Sequence, residues 1–207
     1  MQTAFEEYLL EFVQNYKGPK LAIVATGGGI QLGNIAMVPG GSNVLHSFYC
    51  PYETQESVNF IERNLPGRGQ LFLQKAVSAD SAGLLYKGLC VQNAGFYNGQ
   101  GVQNAGFPHV RNLAVTASCT TTRYRRGDNQ AFIAFQNAET QQIEVWHLKL
   151  PKRSEEEHKN SSPEELYTLR LREDETIAGV ALWLACGLEP QVLEVMREDG
   201  FLSRVDL

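Results

Sequence analysis

What the chain lacks narrows its class before any motif is considered. No apolar run approaches the ~20 residues that span a bilayer, so no membrane contact is expected. The opening residues, MQTAFEEYLLEF, carry glutamates where a secretion signal needs positive charge, which points to a cytoplasmic protein. Positive charge is in deficit: 18 Lys and Arg stand against 23 Asp and Glu, a net charge of −5. Nucleic acid and anionic membranes both reward a basic surface, so neither is an expected partner. Arg123, Arg125 and Arg126 in TTRYRRGD, with Lys152 and Arg153, make local basic spots that read first as solvated loops. Cys50, Cys90, Cys119 and Cys186 show no CxxC spacing. In a cytosolic protein they are expected as reduced thiols. His46, His109, His147 and His158 fit no metal-ligand spacing, so neither a metal nor a cofactor is expected.

What is present reads as an ordinary globular chain, 207 residues with 43% hydrophobic content, enough for one substantial core. Phe5, Leu9, Phe12 and Val13 follow helical spacing behind a Thr3/Glu6 capping box. Lys20 to Ala25 reads as a buried strand, and Gly27, Gly28 and Gly29 open a helix of about two turns. Val44 to Cys50 looks extended, Thr54 to Asn64 helical, and Ser78 caps the helix DSAGLLYKGL. Strands are expected at Leu113 to Thr116, Ala131 to Phe135 and Ile143 to Leu148. Residues 151–165 read as a hydrophilic loop, Tyr167 to Leu171 as an alternating strand, and Thr176 to Leu188 as an apolar helix; Pro190 precedes a last helix through Met196. Helices interleaved with strands predict an α/β fold over 1–207, one domain, a three-layer α/β/α sandwich with a mixed central sheet.

One repeat interrupts the pattern: VQNAGF stands at 91–96 and again at 102–107. Two copies cannot stack a core of their own, so 91–107 reads as a tandem duplication that lengthened a surface loop.

The glycine triplet invites a phosphate reading, and the common ones fail. Gly27 and Gly29 fit a dinucleotide fingerprint, but Leu32 stands where its third glycine belongs. Gly28 and Gly33 fit a P-loop, but Asn34 replaces the lysine. No Gly-x-Ser-x-Gly elbow occurs. Two readings remain: a strand-to-helix turn packed tightly by glycine, or a helix start whose free N–H groups take an anion.

Taken in order, several segments resemble the C-terminal domain of the competence/damage-inducible protein CinA, the nicotinamide-mononucleotide deamidase family. VATGGG (24–29) is similar to its Glu-Ser-Cys-Thr-Gly-Gly motif, and Pro39-Gly40-Gly41-Ser42 to its Gly-Ser-Ser turn. An ungapped count places Tyr52 on the family's tyrosine; AVSADSAGLLYKGL (76–89), AVTA (114–117), GDNQAFIAF (127–135) and IAGVALWLA (177–185) follow in turn. The resemblance spans about residues 3–188, and the pattern also resembles a divergent eukaryotic branch of the family. That branch often carries an adenylyltransferase-like domain, which is not expected here.

The resemblance implies a site at Gly27, Gly28, Gly29, Ser42, Tyr52 and Thr116, with a pyridine nucleotide or other small anion as ligand and self-association as a family habit. It also implies a missing dyad. The same count puts Ala25 at the family's serine, Thr26 at its cysteine and Ser57 at its lysine, while its Gly-Pro-Gly-Gly loop becomes SCTTTRYRRG. The arginine expected early in the closing helix is replaced by Ala178 or Gly179. Alanine has no nucleophilic oxygen and serine is a poor base, so a non-catalytic binding or regulatory protein is expected. The alternatives are an amidohydrolase with Thr26 as nucleophile and Tyr52 assisting, and an oligomeric interaction module.

Overall fold

The computed structural model describes residues 3–97, 110–188 and 190–205. Its frame is a six-stranded sheet in the order β2-β1-β3-β4-β5-β6, with strands β1 (Lys20–Thr26), β2 (Leu45–Tyr49), β3 (Val110–Ser118), β4 (Gln130–Gln136), β5 (Ile143–Lys149) and β6 (Leu202–Val205). β1 runs parallel to both β2 and β3, and the pairs from β3 to β6 are antiparallel. The expected mixed sheet is therefore the observed one.

The layers follow from strand parity, because successive side chains on a strand point to opposite faces. Leu21, Ile23 and Ala25 of β1 join Leu113, Val115 and Ile133 in one core. Helix α1 (Ala4–Asn15) and helix α6 (Pro163–Cys186) cover that face. Ala22, Val24 and Ala114 face the other core, covered by α2 (Thr54–Asn64), α3 (Gly69–Gln74) and α4 (Ala79–Tyr97). A strand covered on both faces reads as a continuous apolar run, which is why KLAIVAT was recognisable. Thr3 and Glu6 form their capping box as expected.

The connections differ in kind. From β1 to β2 the chain returns through a 3-10 segment, Ile30–Met37, which places Leu32 and Ile35 under the α1–α6 face. This is the helix expected after the glycines, wound more tightly than an α-helix. From β2 to β3 it crosses the opposite face through α2, α3 and α4. β1 and β3 thus flank the switch point of the parallel half, where open α/β sheets place their ligand crevice.

Four expectations need correction. Tyr167 to Leu171 is not a strand but part of the 24-residue helix α6. Ser162 and Glu165 cap it reciprocally and Pro163 fills its first turn, a start signal inside a stretch whose composition is that of a hydrophilic loop. Within 151–165, Ser154 and Glu157 cap a short helix α5 (Glu155–Lys159). The first VQNAGF copy does not form a loop: residues 91–97 continue α4, where Asn93 donates from Nδ2 to Asn112 Oδ1 at 2.6 Å. The second copy lies outside the described residues. Finally, α3 and the edge strand β6 were not foreseen; the last helix was, as α7 (Gln191–Glu198).

Candidate functional site

At the carboxyl end of β1 the chain passes from Ala25, fully buried among the residues under α6, to Thr26, whose side chain faces α2. Thr26 Oγ1 donates to the Pro51 carbonyl at 2.9 Å, and Ser57 Oγ from α2 donates to the same oxygen at 2.9 Å. The two hydroxyl oxygens stand 3.4 Å apart. Each hydroxyl has one proton, and here both go to a backbone carbonyl. Among the described residues neither is hydrogen-bonded to a lysine, histidine or carboxylate that could act as a base. Thr116 lies opposite Thr26 across the β1–β3 pair and donates to the Ala76 carbonyl at 2.7 Å. The residue that meets Ser57 is thus Thr26; Ala25, which the ungapped count had aligned with the nucleophile, points into the core on the other side.

The glycines that follow are packed rather than open. Gly27 and Gly29 have φ of +74° and +75°, a region that disfavours other residues. A side chain on Gly27 would collide with the Ala117 carbonyl, and one on Gly28 would come within 2.9 Å of Ala117 and Ile177. Tight packing against β3 and α6 accounts for the triplet.

Helix α6 closes this corner. Arg170 Nη2 donates to the Gly27 carbonyl at 2.7 Å. The Asp174 carboxylate, 5% exposed, accepts from the N–H groups of Ile30 at 3.2 Å and Gln31 at 2.8 Å. Those are the donors at a helix start that would otherwise attract an anion. Beside it, Glu173 accepts from Thr120 N–H at 2.5 Å, Thr120 Oγ1 at 2.8 Å and Asn129 Nδ2 at 2.7 Å. One turn of α6 therefore holds both the loop after β1 and the loop after β3. Between them the Cys119 thiol is buried, and burial pushes its pKa up to about 12 despite the opposing charge of Arg170. Cys50, though exposed, is also raised, by partial burial and the nearby charge of Asp174.

Three crystal structures share the fold of this chain. They are a competence-damaged protein (CinA) superfamily protein from Klebsiella pneumoniae, TM-score 0.53, 12% identical, covering 89% of this chain and 99% of that one; a second superfamily protein from Escherichia coli, TM-score 0.51, 11% identical, covering 86% and 87%; and a competence or damage-inducible protein from Enterobacter asburiae, TM-score 0.50, 10% identical, covering 89% and 99%. The fold is CinA-like. At these identities the likeness carries the fold alone. No family model matches the sequence, and no curated protein matches it.

Within the CinA-like frame the residues singled out from the sequence separate into two groups. Thr26, Gly27, Gly28, Gly29 and Thr116 gather at the switch point. Tyr52 is next in the chain to Pro51 and 66% exposed, beside this group but turned to solvent. Ser42 is elsewhere. A parallel crossover must return to the start of the sheet, so the segment Gly41–Asn43 leads into Val44, whose carbonyl receives Leu21 N–H at 2.6 Å. From Leu21 to Thr26 is roughly 17 Å at the rise of an extended chain. In four clefts lined by described residues, neither the glycines nor Ser42, Tyr52 or Thr116 takes part.

Arg170, Glu173 and Asp174 were missed as site residues. Their signal was the spacing 166, 170, 173, 174, 177 behind the Ser162 cap, a helical face ending in the corner. Two turns before Ala178 and Gly179, Arg170 reaches the glycine loop. Among the described residues no group of three His, Cys, Asp or Glu could hold a metal ion, and no single helix is long and apolar enough to cross a membrane.

Proposed function

We propose that this chain is a non-catalytic relative of the amide-hydrolysing CinA proteins, a regulatory protein that binds a nucleotide or other small anion without turning it over. The observation that carries the reading is the paired donation of Thr26 and Ser57 to the Pro51 carbonyl. A hydroxyl nucleophile needs an adjacent base to take its proton, and this pair has a backbone acceptor instead. The test is ammonia release from nicotinamide mononucleotide and a panel of carboxamides. The expected result is none above the blank; release that is lost in Thr26→Ala overturns the reading.

A second reading is favoured by one contact, the 3.4 Å approach of Ser57 Oγ to Thr26 Oγ1. On that reading Thr26 Oγ1 attacks the carboxamide carbon, its proton passes through Ser57 to the leaving nitrogen as the C–N bond breaks and ammonia departs, and water then hydrolyses the Thr26 ester. It predicts that Ser57→Ala depresses ammonia release, whereas the first reading has no release to depress.

The anion half of the proposal cannot use the helix start at Ile30, because Asp174 already occupies its donors and repels a second negative charge. Binding must be sought elsewhere on the molecule.

A further inference from the structure

The 119–127 loop, CTTTRYRRG, holds three arginines and no acidic residue. It folds against α5 and the start of α6, and a cleft of about 590 Å³ opens between them, lined by Arg123, Tyr124, Arg126, His158, Lys159 and Leu166 among others. That volume lies within the ~300–1,000 Å³ typical of small-molecule sites.

The cleft is unlike the glycine corner in its charge. Lys159 is paired with Glu155 at 2.7 Å, which neutralises one lining cation. Outside its lining, Arg125 donates to the Cys119 carbonyl and Lys152 to the Gly127 carbonyl, both neutral partners. Arg123 and Arg126 are exposed, and among the described residues neither side chain makes a hydrogen bond or ion pair. Two free guanidinium forks on one short loop match a phosphate better than a single point charge would.

The wall is aromatic and held in place. Lys152 Nζ lies 4.9 Å from the Tyr124 ring centroid, and the His158 ring meets Tyr124 edge-on at 5.5 Å. His158 Nε2 also stands 3.3 Å from the Thr122 carbonyl. With Pro163 and Leu166 these rings give an apolar surface beside the arginines. The overall charge of −5 argues against a long polyanion, which would meet repulsion outside the cleft.

We infer that this cleft binds a phosphate monoester carried on an aromatic body, the phosphate on Arg123 and Arg126 and the ring against Tyr124. The inference rests on the anion-binding part of the proposed function and gives it a place. Two sources have this chemistry, a free nucleoside monophosphate and a phosphorylated tyrosine, and the cleft treats their shared parts alike.

Calorimetric titration of the full chain at low salt with adenosine monophosphate, O-phosphotyrosine, adenosine, tyrosine and inorganic phosphate tests it. One phosphate ester is expected to bind at least tenfold more tightly than its dephosphorylated form and than inorganic phosphate. The ester that binds more tightly identifies the source. Arg123→Glu with Arg126→Glu should weaken that binding tenfold or more, and Tyr124→Leu should weaken the ester but not inorganic phosphate. An unchanged melting temperature shows that the exposed substitutions leave the fold intact. Ester binding that survives the double substitution places the ligand elsewhere and overturns the inference while anion binding stands. No binding of either ester overturns the inference and the anion-binding reading together. Inorganic phosphate binding as tightly as the esters removes the aromatic part and overturns the inference as stated.

Discussion

The glycine corner and the basic cleft lie on either side of the loop that follows β3, and they handle charge in opposite ways. In the corner Arg170, Glu173 and Asp174 all find partners within the chain, chiefly backbone groups of the two loops they hold. In the cleft Arg123 and Arg126 meet no partner among the described residues. Burial explains half of the contrast, since a buried polar group left unpaired costs about 1–3 kcal/mol and more if charged, so the corner has to be satisfied. Solvent imposes no such demand on the cleft. The contrast teaches where a ligand has something to gain: the corner is closed by its own partners, and the loop after β3 leaves two guanidinium groups unpaired among the described residues.

The largest effect should come from Gly27→Ala. The new side chain meets the Ala117 carbonyl at a backbone conformation that disfavours it, so a loss above about 4 kcal/mol, or failure to fold, is expected in denaturant unfolding. A loss under about 1 kcal/mol would break the comparison by showing a loosely packed corner.

Next is Asp174→Ala, which removes the acceptor of two backbone N–H groups. We expect a loss of about 2–4 kcal/mol, partly restored in Asp174→Asn, which keeps one oxygen.

Alkaline pH probes the same seal from within. The folded Cys119 thiol has its pKa raised from 9.0 to about 12. Between those values the unfolded chain has lost a proton that the folded chain keeps, so stability falls as pH rises through the window. Cys119→Ala should lessen that fall in unfolding measured at pH 8 to 11, the remainder coming from other groups such as Cys186 and Cys90, whose thiols burial also pushes up. Iodoacetamide should label the exposed Cys50 while sparing Cys119; equal labelling of both in the folded protein denies the seal.

The smallest effect on stability belongs to the cleft. Arg123→Glu with Arg126→Glu should change stability by no more than about 0.5 kcal/mol, the usual range for exposed positions. A larger loss would mean that these arginines hold structure and that the contrast is false.

Much of the frame was legible because it rests on local pattern. KLAIVAT and AFIAF are apolar runs bounded by turns, and Thr3 with Glu6 marks a helix start over four residues. The errors arose where two patterns overlapped. Tyr167, Leu169 and Leu171 alternate like a strand, yet Tyr167 is 69% exposed and the buried face of α6 runs through Leu166, Glu173, Asp174 and Ile177. The site was half legible. The glycine triplet marked the corner, but an ungapped count set Ala25 against Ser57, and strand parity gives that position to Thr26. Asp174 lies 144 residues after Ile30, a separation that local spacing carries no trace of.

That separation has a consequence for how the chain is made. The glycine loop is synthesised early, but its seal comes from the last third of the sequence, and β1 cannot complete its pairing until β3 arrives. During translation from the N-terminus the loop must wait with its N–H groups in water. A product cut short before residue 174 contains every glycine of the corner and none of the carboxylate that closes it. The integrity of the first helical turn after β1 is thus a report on whether helix α6 is present and docked.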